Sequence, residues 1–211
     1  MIAVPQRPVE FPRQRARRDA PAIGAAADFP EALRRLPRNV CVIAFEHGER
    51  LFGLTATSVS PLSLDPATLL VGVPRRWPVA QQFLASRSFG VSALAADQDA
   101  LAERFSAGAA IGERERREGG WIGFETAAPT LADATAAFAC ERDAVFEHRG
   151  GAVVIARVLS VRASSGSSAL VSWQGVYSQL GWTKDEISRA TGQSPVRTKE
   201  RAVAPFPQRS S

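Results

Sequence analysis

The sequence predicts a mostly β protein: an antiparallel barrel, closed or partly closed, with helices at its rim. Three observations support this class. Six to eight short runs are apolar, alternating or β-branched, as strands are. Helical periodicity occurs only about three times, so no helix follows each strand and a doubly wound sheet is disfavoured. The chain has 211 residues and 45% hydrophobic content, enough for one domain with a real core.

Residues 1–28 hold four prolines, five arginines and an Ala/Gly run, and read as a flexible lead-in rather than a docking arm. Phe29, Ala32, Leu33 and Leu36 fall at i, i+3, i+4, i+7 and predict a short helix stopped by Pro37. Val40 to Phe45 is a strand, His47-Gly48-Glu49-Arg50 turns the chain, and Leu51 to Ser60 returns as a hairpin partner. Ser63-Leu64-Asp65-Pro66 is a turn, because Asp bonds its own backbone and Pro fixes φ. Thr68 to Val73 is a buried strand. Pro78 to Leu84 is a helix with proline in its first turn. Ser88 to Leu94 is a strand and Ala96 to Phe105 a helix. Residues 107–120 carry Gly and the run Glu113-Arg114-Glu115-Arg116-Arg117-Glu118, and read as a solvated loop, with a lid over a ligand as the sharper alternative. Ala136 to Phe146 and Ala152 to Ala163 form a long hairpin around Arg149-Gly150-Gly151. After the loop Ser164–Ser168, Ala169 to Trp173 and Gly175 to Leu180 are short strands. Beyond Trp182 the chain turns polar, with one helical turn expected near Lys184–Ala190. The domain is therefore expected at 29–182, between flexible segments 1–28 and 183–211.

Charge narrows the function classes. The net charge is +5, but +2 of it lies in 1–28 and +3 in 183–211, which leaves the domain neutral. A nucleic-acid reader carries its charge on the folded face, so no nucleic-acid partner is expected. No stretch has membrane-spanning length and no leader is evident, so a cytoplasmic location is expected. Cys41 and Cys140 sit in apolar runs without a CxxC or Cys/His cluster, so neither a disulfide nor a metal is expected. Rossmann, Walker A, HExxH and GxSxG patterns are missing. His47 and His148 fall in turns and read as surface residues.

The informative stretch is 53–76. Gly53-Leu54-Thr55-Ala56-Thr57-Ser58 is small and hydroxyl-rich, the turn at Ser63 follows, and the strand to Val73 runs into Arg75 and Arg76. Small side chains let a ring approach the backbone, hydroxyls bond a polyol, and arginines fork onto a phosphate. That suits a phosphorylated planar ligand.

Gly-Leu-Thr-Ala-Thr-Ser, then Ser-Leu-Asp-Pro and an apolar strand, resembles the flavin reductase-like family of FMN-binding split barrels. Further matches are Phe89 to Leu94, Leu101-Ala102, Arg104-Phe105, Pro129-Thr130-Leu131 and Ala137 to Glu141. The resemblance implies an antiparallel split β-barrel of Greek-key type. It implies an NAD(P)H-dependent flavin reductase with FMN or FAD as cofactor and NADH or NADPH as hydride donor. Likewise it implies a homodimer and a partner flavin-dependent monooxygenase. Thr55, Ala56, Thr57 and Ser58 would line the ribityl and phosphate side, Ser63 the ring's polar edge, Arg75 and Arg76 the phosphate, and Phe105 one wall. No catalytic side chain is named. Where many family reductases carry Gly-Asp-His, this chain has Arg149-Gly150-Gly151. A flavin-binding protein without reductase activity, such as a sensor, carrier or oxidase, is the alternative.

Overall fold

A computed structural model describes residues 28–123, 128–164 and 168–181. The turn expected near Lys184–Ala190, the flanking segments other than Asp28, and most of the Ser164–Ser168 loop lie outside the described residues. Helix α1 is Phe29–Arg34, with Glu31 in its first turn, Arg34 in its last and no buried residue. The strands that follow are β1 Arg38–Asn39, β2 Cys41–His47, β3 Arg50–Ala56, β4 Val59–Leu64 and β5 Ala67–Pro74. Then come α2 Ala80–Ala85, β6 Ser88–Ala93, α3 Asp99–Arg104, β7 Ala109–Ile111, α4 Glu113–Glu118, β8 Trp121–Ile122 and β9 Thr130–Leu131. The long strands β10 Ala136–His148 and β11 Gly151–Ala163, then β12 Ala169–Trp173 and β13 Val176–Leu180, complete the described chain.

Eight strands form one sheet in the order β4-β5-β11-β10-β6-β2-β3-β7, and every register pair in it is antiparallel. Strands β3 and β4 stand far apart in that order, yet only Thr57 and Ser58 separate them in sequence. Two residues cannot cross a flat sheet of that width, since strands lie about 4.8 Å apart. The sheet therefore curls until its ends meet, which makes the predicted barrel. Smaller sheets, β1-β12-β13 and β8-β9, lie outside it.

Alternation along the strands sorts the apolar side chains into two cores. In β2, Cys41, Ile43 and Phe45 point into the barrel, while Val40, just before it, Val42 and Ala44 join a second core with Phe105, Trp121, Leu131 and Leu170. Phe83 of α2 closes the barrel interior, its ring 5.2 Å from that of Phe45 and 5.0 Å from that of Phe89. Gly90 in β6 is obligatory, because a Cβ there would lie 1.9 Å from the Pro129 carbonyl oxygen.

Two expectations are corrected. The run Leu51–Ser60 is not one strand but most of β3, a crossing, and the start of β4. Residues 107–120 are not a loop: β7 pairs with β3, and α4 is held by Arg114–Glu118 at 2.8 Å and Arg117–Glu113 at 3.4 Å, both i,i+4. Arg104 of α3 ties α4 down by donating to Glu115 at 3.1 Å. The charge run is solvated, as expected, but it is a helix.

Candidate functional site

The site is built on the β3–β4 crossing. The Ser58 carbonyl accepts a hydrogen bond from the Gly72 amide at 2.8 Å, and the Ser58 hydroxyl donates to the Gly72 carbonyl at 2.7 Å. Glycine on β5 suits so tight a double contact, since a Cβ at Gly72 would lie 3.0 Å from Ser58 Cβ and Ser58 would have to give way. Thr57 is half-buried and Ser58 exposed, which leaves hydroxyls and main chain at the surface.

Three residues beyond Gly72, β5 runs into a turn. Trp77 donates its amide to the Pro74 carbonyl at 3.1 Å, and Arg75 and Arg76 lie exposed between them. The Arg75 amide donates to the Gly150 carbonyl at 3.1 Å, so the β10–β11 tip is fastened to this turn. The Arg75 guanidinium stands 3.9 Å from the Glu147 carboxylate, both largely in solvent. Such a pair is worth at most about 1 kcal/mol. It leaves Arg75 available to a stronger anion.

Ser63 lies toward the opposite end of β4, no more than about 16 Å from Ser58 at the rise of an extended strand. There the barrel opens into a cleft of about 420 Å³, lined by Cys41, Val59, Leu69, Val91, Phe138 and Val158 among others. None of its described lining residues is charged. The Ser63 hydroxyl donates to the Asp65 carbonyl at 3.0 Å and accepts from the Asp65 amide at 3.2 Å, which shapes the rim. Burial pushes the Cys41 thiol up to about 12, partly offset by the hydrogen bond from Asn39, so it stays neutral.

The structure thus holds Ser58 on Gly72, three residues before Arg75 along β5, and sets Ser63 at the rim of the cleft along the same strand pair. It places three expected residues elsewhere. The Thr55 hydroxyl donates to the Ala102 carbonyl at 2.7 Å. Ala56 is buried in the barrel. Phe105 is wholly buried in the second core, edge-on to Trp121 at 6.0 Å and pressed on Gly53, so it walls no described cleft. Sequence reasoning missed the role of Gly72. A lone glycine inside an apolar strand was the available signal, since it marks close backbone approach.

The donor set fits a flavin nucleotide. Two guanidinium groups suit a phosphate, the hydroxyl-lined crossing suits a polyol, and the uncharged cleft suits a flat ring. Two hydrogen bonds hold the crossing on Gly72, whose missing side chain leaves room for them.

Comparison with known proteins agrees. The family model described as flavin reductase like domain matches residues 33–181. The reductase component of the FADH(2)-dependent resorcinol hydroxylase of Rhizobium sp. strain MTP-10005 is 33% identical over 150 residues, covering 70% of this chain and 83% of that protein. The NADH-dependent FMN reductase RutF of Agrobacterium fabrum is 30% identical over 156 residues, covering 72% and 87%. Among solved structures, BorF, the flavin reductase component of a bacterial two-component tryptophan halogenase, matches with a TM-score of 0.67 at 26% identity, covering 75% of this chain and 99% of that one. The barrel, the crossing and these matches together make one statement: the chain belongs to the flavin reductase-like domain family.

Proposed function

We propose that the chain is an NAD(P)H-dependent flavin reductase that binds FMN or FAD at the β3–β4 crossing and supplies reduced flavin to a separate monooxygenase. The observation that carries this reading is the crossing itself: Ser58 clamped on Gly72 at 2.7 and 2.8 Å, one turn from Arg75 and Arg76. What supports the activity is that relatives at 30% identity or better are named as an NADH-dependent FMN reductase and a hydroxylase reductase component. A bound flavin supplies the hydride acceptor. The chain holds and orients it: Arg75 and Arg76 take the phosphate, Thr57 and Ser58 the polyol, and the cleft beside Ser63 the ring, away from water. Hydride transfer from a stacked nicotinamide is a proximity effect that needs no side-chain acid or base. Mixing the flavin-loaded protein with NADH or NADPH without oxygen tests this. Loss of the flavin colour at a catalytic rate is expected.

A second reading is a flavin-binding protein without reductase activity. One observation favours it. Gly151, aligned with the family's histidine, is closed to any side chain, because a Cβ would lie 2.2 Å from the Val73 carbonyl oxygen. A protein that stays yellow with both nicotinamides would select that reading.

The reading also carries a homodimer, a cytoplasmic location and a domain at 29–182 between flanking segments. What supports the dimer is the apolar side chains left in solvent on the ribbon that bears the site: Leu62, Leu64, Phe146, Val153 and Val161, with Leu64 at 91% exposure. What supports a reducing compartment is that both cysteines are buried and unpaired with each other. No described helix is long and apolar enough to cross a membrane.

A further inference from the structure

The β10–β11 tip adds to the arginine turn charge that one phosphate does not use. Thirteen-residue strands pair down to His148↔Gly151, and β11 pairs with β5 down to Gly151↔Pro74. The Arg75 amide then donates to the Gly150 carbonyl, and Gly151 sits so close to Val73 that no side chain fits. The tip is thereby seated on the Pro74–Trp77 turn. The Arg75–Gly150 bond puts His148 and Arg149 within two residues of its Gly150 end and Arg76 next to its Arg75 end, with Glu147 of β10 as the acid 3.9 Å from the Arg75 guanidinium. All five are exposed, and a side chain added at Gly150 would meet nothing within 4 Å, so the space over the tip is open. Three arginines against one carboxylate exceed what the phosphate of a mononucleotide needs.

We infer that the β10–β11 tip reads a second phosphate, with Arg149 as a specificity-determining residue. The chemistry is that of an adenine dinucleotide: the diphosphate of FAD, or the 2′-phosphate of NADPH. The inference rests on the flavin reductase reading and names what else that site recognises. The main chain under the tip is fixed by the Arg75–Gly150 bond, and hydrogen bonds to charged groups are worth enough to change affinity about tenfold.

The test is Arg149→Ser in the full chain, assayed with FMN against FAD and with NADH against NADPH. A rise of about tenfold in the KM for FAD, with FMN unchanged, assigns the tip to the flavin diphosphate. A similar rise for NADPH, with NADH unchanged, assigns it to the 2′-phosphate. If neither ratio moves by as much as about twofold, the inference is overturned. Calorimetry with ADP and with 2′,5′-ADP separates this from the flavin reading, since it needs no flavin and no turnover. Binding of either probe that weakens in Arg149→Ser supports the tip even where the protein takes up no flavin. Failure of both probes to bind the unaltered chain overturns it.

Discussion

Gly72 sets how closely the crossing from β3 to β4 approaches β5. Gly72→Val puts branched carbon where 3.0 Å separates Cβ positions and pushes Ser58 away. Flavin affinity should fall at least about tenfold, the loss of one charge-free hydrogen-bond pair. Fluorescence titration checks it, with circular dichroism confirming the fold. Replacing Arg75 and Arg76 by serine should weaken FMN about 10–100-fold and riboflavin, which lacks the phosphate, hardly at all. The cysteines give a pH prediction. Burial raises both thiols from 9.0 to about 12. The folded state thus favours the protonated thiols, so this contribution is complete below pH 9 and is lost as pH rises toward 12. Urea unfolding at neutral and alkaline pH should show the loss, and a Cys41→Ala/Cys140→Ala variant should show a shallower alkaline slope. At this scale residue type was legible and orientation was not. The Ser58 hydroxyl clasps the Gly72 carbonyl, a contact its residue type allows. Thr55 turns toward α3 because β3 alternates, Phe105 packs into the second core from the end of α3, and nothing local says which parity of β3 faces the barrel.

At the scale of the element, β6 and α4 behave oppositely. Gly90 lies under the Pro129 carbonyl, so Gly90→Ala must move the main chain and should cost upwards of about 2 kcal/mol, read from the shift in denaturant midpoint. Helix α4 is exposed on every residue except half-buried Glu115. Replacing Arg114 and Arg117 by glutamine should therefore cost less than about 1 kcal/mol in the same assay, since i,i+4 pairs contribute only tenths each. Long elements were the legible ones. The β10–β11 hairpin and β2 follow their apolar patterns. The stretch 107–120 was misread because its glycines and charges suit a loop equally well. The distinction lies in i,i+4 pairing and in Arg104 reaching back from α3, a contact between separate elements.

For the whole molecule, sheet order explains the function better than any motif. The β4–β5 pairing sets Ser58 on Gly72, and the β5–β11 pairing brings the arginine turn to the β10–β11 tip. The barrel class was legible from many short strands and few helices. The closure point was not, because it depends on which edge strands meet. The exposed apolar side chains on the same ribbon predict a dimer, and light scattering should give twice the chain mass; a monomer at micromolar concentration would remove that part of the account. The claim on which the rest depends is that the crossing over Gly72 is a flavin site. Equilibrium titration of the purified chain with FMN tests it most directly. The account predicts saturable uptake of one FMN per chain that Gly72→Val weakens. No uptake, or uptake that the variant leaves unchanged, would contradict it.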